Sequence, residues 1–203
     1  MSSTCSPGQR RPAVLGLCGL AVAAALLLCA CGLQKSPASG ADRQAGKTAG
    51  ADRACTASAI HVVLDARSAG VAAGTSVIPL DFTNSSALSC RLGGFAAVTF
   101  AAAQNGGQVG AAAAADRSLG AAKLVLRSGM TAHIWLRILD VANLPPALCR
   151  PVTVAGLRVR LPGQGSAIFI SHPLLTCSRH VLGTDILTVE PFKPGRALPG
   201  TAQ

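Results

Sequence analysis

The sequence has no tyrosine, one tryptophan and five phenylalanines among its 203 residues, so aromatics make up 3% of the chain. That scarcity argues against a stacking platform for nucleic acid. Charge is sparse at 13%, and acidic charge most of all, with eight Asp plus Glu against eighteen Lys plus Arg. Glu190 is the one glutamate. A two-carboxylate hydrolase would therefore have to draw on Asp65, Asp81, Asp116, Asp140 and Asp185, several of which flank turn signals where Asp bonds to backbone. No Gly-x-Ser-x-Gly elbow and no His-Glu-x-x-His occurs. Of the four histidines, His61 and His133 fall in strand patterns and His172 and His180 flank Cys177.

Half of the chain is hydrophobic, which excludes a wholly disordered protein. Arginine greatly outnumbers lysine and alanine and glycine abound, a composition typical of GC-rich bacterial genomes. Arg10 and Arg11 precede an uncharged apolar run from Pro12 to Ala30. A basic flank ahead of an apolar segment is the pattern of a secretory signal. Leu28-Cys29-Ala30-Cys31 resembles the bacterial lipobox, in which the Cys thiol receives a diacylglycerol and becomes the new N-terminus. The match makes Cys31 the acceptor and residues 1–30 a lipoprotein signal peptide. An uncleaved helical anchor is the competing reading. The chain is thus expected on the outer face of the cytoplasmic membrane, held there through lipid.

Residues 31–54 follow as the lipidated Cys and a tether, GLQKSPASGADRQAGKTAGADRA after Cys31, with too few large apolar side chains to offset ordering entropy. Its flexible reach is roughly 25–30 Å. Ala41–Thr48 mimics a phosphate-binding loop, but the buried strand and helix that such a loop needs do not flank it. No cofactor is expected.

From Cys55 to residue 192 short apolar runs alternate with turn residues. Ile60, Val62 and Leu64 alternate, as do Ile78, Leu80 and Phe82; further strands are expected at 97–101, 123–126, 131–139, 152–161, 166–170 and 186–189. Ala111–Ala115 reads equally as a helical turn or a loop. About eight strands in this length predict an all-β, antiparallel sandwich, with 193–203 as a disordered tail. Asn84-Ser85-Ser86 is formally a glycosylation acceptor, and is expected as a strand-end turn, where Asn tolerates a left-handed backbone. Trp135 shares a strand face with Thr131, His133 and Arg137, opposite Ile134, Leu136 and Ile138, so a strand buried on both faces is expected.

Four cysteines remain for the domain: Cys55, Cys90, Cys149 and Cys177. They allow three pairings. The midpoint of 149 and 177 falls in Pro162-Gly163-Gln164-Gly165, so a symmetric hairpin sets these two face to face and leaves Cys55 for Cys90. The loops closed hold 36 and 29 residues, worth about 3.5–4 kcal/mol each on the chain-entropy account. A zinc site at His172, Cys177 and His180 is the rival, disfavoured because exported thiols oxidise; no metal is expected.

The segment GTSVIPLDFTNSSALSCRLGGFAAV resembles the signature of an actinobacterial family, the domain of unknown function 4232, through Asn84, Cys90, Leu92, Gly94 and Phe95. Leu126, Gly129 and Ala132 supply a second match, and Cys149 and Cys177 around GLRVRLPG a third, over about residues 55–192. The chain departs from the pattern at Ala96, where the family has Pro. The resemblance implies an exported, often lipid-anchored, immunoglobulin-like domain and no activity.

Residues 31–203 carry a net charge of +8 and residues 55–203 of +6. Arg158 and Arg160 leave one strand face between Leu157, Val159 and Leu161, while Arg127, Arg150 and Arg179 lie near strand ends. The pair is the candidate anion-binding site, toward acidic envelope polymers or lipid headgroups but not nucleic acid; a plain solvated face is the bland alternative. The function expected is a non-catalytic binding or scaffolding module. A small exported hydrolase, its Ser, His and Asp gathered from distant strands, is the other reading.

Overall fold

A computed structural model describes residues 53–200, all within the unit Arg43–Gln203. The expected signal peptide, Cys31, the phosphate-loop mimic and the expected tether up to residue 52 lie outside the described residues. In chain order the strands are β1 (Ile60–Leu64), β2 (Gly70–Ala72), β3 (Thr75–Asn84), β4 (Cys90–Gly93) and β5 (Ala97–Ala101). There follow β6 (Gln108–Val109), β7 (Ala114–Ala115), β8 (Lys123–Leu126) and β9 (Thr131–Leu139). After one helical turn, α1 (Pro146–Cys149), come β10 (Pro151–Arg160), β11 (Ala167–Cys177), β12 (Leu187–Val189) and β13 (Lys193–Pro194).

Alternation explains the longer strands. Along β9 Ala132, Ile134, Leu136 and Ile138 point inward, and the register pairs β9 with β3 over nine residues, Thr75 opposite Leu139 to Thr83 opposite Thr131. The first sheet runs β1-β3-β9-β12-β7, with β2 added to β3 and β13 to β9; the second runs β11-β10-β5-β6. A two-stranded ribbon, β4–β8, stands beside them. Inner faces of both sheets share one core containing Leu80, Phe82, Ile134, Phe100, Leu157 and Val159. The architecture is an all-β sandwich. One pairing departs from the antiparallel expectation: β7, in the ambiguous alanine run, lies parallel to β12.

Pro79 sits inside central β3, where a missing N–H would ordinarily break a ladder. Its carbonyl accepts from Asp65 N just past the end of β1, and Asp65 O accepts instead from Ser68 N, so the absent proton is not needed there. Gly156 marks the shift of register between β10 and β11; a Cβ there would stand 2.1 Å from Ile170 O. That backbone approach admits glycine alone.

Both expected disulfides are present, Cys55–Cys90 and Cys149–Cys177. The Pro-Gly-Gln-Gly turn does centre the β10–β11 hairpin, but the shift at Gly156 brings Pro151 opposite Cys177. Cys149 therefore reaches its partner from the end of α1, where Arg150 turns left-handed.

Two boundaries need correction, while Asn84 ends β3 as expected. Arg53 O accepts from Arg91 N and Ala54 bridges Arg91, so the ordered domain starts ahead of 55. At the other end, 193–200 is no disordered tail: Lys193 and Pro194 pair with His133 and Ala132, and Ala197 is buried against Trp135 and Val77. This segment covers the outer face of β9, which is why Trp135 is buried as expected. Asn84 is not left-handed; only Ala73 and Arg150 are, among described residues other than glycine. Its fully buried side chain donates to Leu88 O and Leu126 O and accepts from Ser86 N and Oγ. The amide is thereby closed to glycosylation in the folded protein.

Asn84→Ala would strand two carbonyls and two donors at the junction of β3, β4 and β8. We expect it to lower stability by about 2–4 kcal/mol, read as a fall in the urea midpoint at unchanged m-value. A loss below about 1 kcal/mol would mean that water replaces the side chain.

Candidate functional site

On β10, Leu157 and Val159 fill the core while Arg158 and Arg160 stand on the outer face of the second sheet, opposite Thr99 and Ala97 of β5. Each guanidinium is held by a neighbouring turn. Arg158 Nη2 donates to Gln104 O at 3.1 Å and Gly106 O at 2.7 Å, and Arg160 Nε donates to Gly165 O at 3.1 Å. The other guanidinium nitrogens make no protein hydrogen bond among the described residues, and planar guanidinium offers five donors. Between the two lies a depression of about 70 Å³, lined also by Ala97, Thr99 and Gln108. That is far below the ~300 Å³ of a small-molecule pocket. The arrangement suits contact with an anionic surface, not enclosure of a substrate.

Four of the five sequence-predicted acids are occupied structurally. Asp65 accepts from Ser68 Oγ and Arg67 N, and Asp116 from Ser118 Oγ and N. The serine hydroxyls foremost, then the backbone, hold both carboxyls below their ordinary range. Such carboxylates stay ionised and are poor general acids at neutral pH. Asp140 caps the short 3₁₀ turn at Val141–Asn143 through Ala142 N. Asp185 lies exposed on the rim of a 330 Å³ cleft beside Arg137 and Thr188. His133 Nδ1 meets Gly195 O, and among the described residues no histidine ring bonds a serine or carboxylate. The His172, Cys177, His180 trio loses its thiolate to the disulfide, and no group of three potential ligands gathers among the described residues.

A cluster that local spacing did not reveal lies on the outer face of the first sheet. Glu190, fully buried, meets Arg137 at 3.2 Å and Lys193 at 3.1 Å. Asp81 accepts from Ala197 N at 3.1 Å and Arg196 Nη1 at 3.3 Å. With His133 on Gly195, these contacts strap residues 193–197 over Trp135. Two buried donors, Trp135 Nε1 and Arg137 Nε, have no partner there. Apart from Glu190 and Lys193, which are three residues apart, the partners lie 53 to 116 residues apart, beyond any local motif.

Several residues that carry the family resemblance gather around the β4–β8 ribbon. Asn84 ties β3 to β8, Cys90 bridges to Cys55, Leu92 is core, and Gly94 takes φ +80° while its carbonyl accepts from Phe192 N. The Arg117 guanidinium lies over the Phe95 ring. These are framework roles.

Two outcomes are expected here. Deleting residues 195–203 should uncover Trp135, shifting the emission of the sole tryptophan to the red and opening it to iodide; an unchanged spectrum would refute the strap. Asp65→Ala should destabilise at pH 6 and have little effect in strong acid. A carboxyl held low in the fold contributes stability above its unfolded value and loses it as pH falls through the lowered one. Equal effects of Asp65→Ala at both pH values would contradict that origin.

No curated protein and no solved structure matches this chain. The family described as Domain of unknown function (DUF4232) matches residues 55–193, which include both disulfides and the Asn84 junction. The chain therefore belongs to the DUF4232 family of domains of unknown function.

Proposed function

We propose that the chain is an exported, lipid-anchored envelope protein whose immunoglobulin-like domain binds or scaffolds without catalysing a reaction. In this reading Cys31 carries diacylglycerol, residues 1–30 are removed, and the domain stands on the outer face of the cytoplasmic membrane. Paired cysteines favour an oxidising compartment, in keeping with export. The observation that carries the binding role is the Arg158–Arg160 pair, oriented by turn carbonyls beside a shallow depression on the outer sheet face. Held guanidinium groups lose less entropy on meeting phosphate or carboxylate than free ones do. Their partner on this reading is an acidic envelope polymer, in a membrane-bound module with neither cofactor nor metal.

The test is retention of the protein on cell-wall fractions as salt is raised. At low salt Arg158→Gln with Arg160→Gln should weaken retention about tenfold, taking about 0.7 kcal/mol for each exposed contact. Retention that ignores both salt and the substitutions would overturn the charge-driven role. For the anchor, Cys31→Ala should leave a precursor that neither matures nor gains lipid; normal maturation would refute it.

A further inference from the structure

The β4–β8 ribbon carries a second basic surface of different make. Along β8, Leu126 is buried and Leu124 packs on the core, so Lys123 and Val125 face outward, with Arg127 one residue beyond the strand. The register sets Lys123 opposite Gly93 and Val125 opposite Arg91. Val125 is 47% exposed. Leu88 and Met130 are 52% and 46% exposed, and the bonds of Asn84 to Leu88 O and Met130 O draw both to this end. A shallow groove of about 470 Å³, floored by Gly93, Gly94, Ala121 and Ala122, runs beside Lys123. Neither 84–94 nor 121–131 contains Asp or Glu.

The chain also arrives here. Arg53, exposed, is bonded through its carbonyl to Arg91 N on the edge of β4. Fifty-two residues precede it, including the uncharged apolar run Pro12–Ala30.

We infer that this ribbon is the face by which the domain lies against an anionic lipid bilayer. Arg53, Lys123 and Arg127 meet the headgroups, and Leu88, Val125 and Met130 enter the boundary with the acyl chains. Interfacial binding needs this pairing: cations draw the surface to anionic lipid, and apolar side chains then bury. A purely polyanionic partner would give the exposed aliphatic residues nothing to do. The inference rests on the anchored reading above, because a tether reaching roughly 25–30 Å permits contact without imposing an orientation. The ribbon supplies the orientation.

The test uses the full chain with one added tryptophan, in vesicles of phosphatidylcholine alone or with phosphatidylglycerol, both with brominated acyl chains. Val125→Trp reports on the ribbon. Leu182→Trp reports on the opposite end, where Leu139 N meets Ile186 O, and the unsubstituted chain gives the background of buried Trp135. In phosphatidylglycerol vesicles the emission from Val125→Trp should fall at least twofold further than that from Leu182→Trp. Adding Lys123→Gln and Arg127→Gln should abolish the difference. Met130→Trp serves on the same surface if Val125→Trp does not fold. Equal quenching at the two ends, or quenching indifferent to the charge substitutions, overturns the inference. A chain that fails to sediment with phosphatidylcholine vesicles, yet is quenched at Val125→Trp on phosphatidylglycerol, overturns the anchor and leaves the ribbon standing.

Discussion

The pairing of Cys55 with Cys90 and of Cys149 with Cys177 is the constraint on which the rest of the domain depends. A core with one Trp and no Tyr is built mainly from Val, Leu, Ile and Ala, whose individual burial gains are smaller than those of large aromatics. Closing two loops in the unfolded chain offsets part of that shortfall. The positions matter as much as the energy. The first bridge ties the segment ahead of β1 to the ribbon, and the second closes the end of the β10–β11 hairpin away from its turn.

Buried polar groups then fix details that aliphatic packing leaves loose. Asn84 answers four backbone and hydroxyl groups at one junction, and Glu190 and Asp81 take the strap at 193–197 onto β9. Buried carboxylates of this kind cost desolvation, and breaking one partner is far worse than never having had the pair. They define one closed arrangement of the outer face, leaving the cations of the second sheet and of the ribbon at the surface.

Much of the fold was legible because it is periodic. The strands at 97–101, 123–126 and 131–139 announce themselves by alternation, and the pairing expected from the hairpin midpoint at residue 163 is the one found, although Cys149 reaches Cys177 from α1 and not from the facing strand position. The misses share a cause. β4 and β7 are too short for a period, and β7 is stabilised by parallel pairing with β12, which sequence spacing does not encode. The segment after 192 holds Pro194 and Gly195 and reads as an ending, yet its order comes from Asp81 and His133, remote in sequence. The shared face of Arg158 and Arg160 follows from their i, i+2 spacing. That turn carbonyls hold both guanidinium groups does not, since those contacts need the folded loops. The ribbon surface is half legible: Lys123, Val125 and Arg127 alternate, but nothing local says that Arg53 and Leu88 join them.

The central claim is an exported, acylated chain whose four domain cysteines are all spent on two bridges. Intact mass with non-reducing peptide mapping of the protein taken from cell membranes tests it most directly. The account predicts a chain beginning at diacylglyceryl-modified Cys31, with peptides linked as Cys55–Cys90 and Cys149–Cys177. A chain that still begins at Met1 without lipid, or one with four free domain thiols, would contradict it.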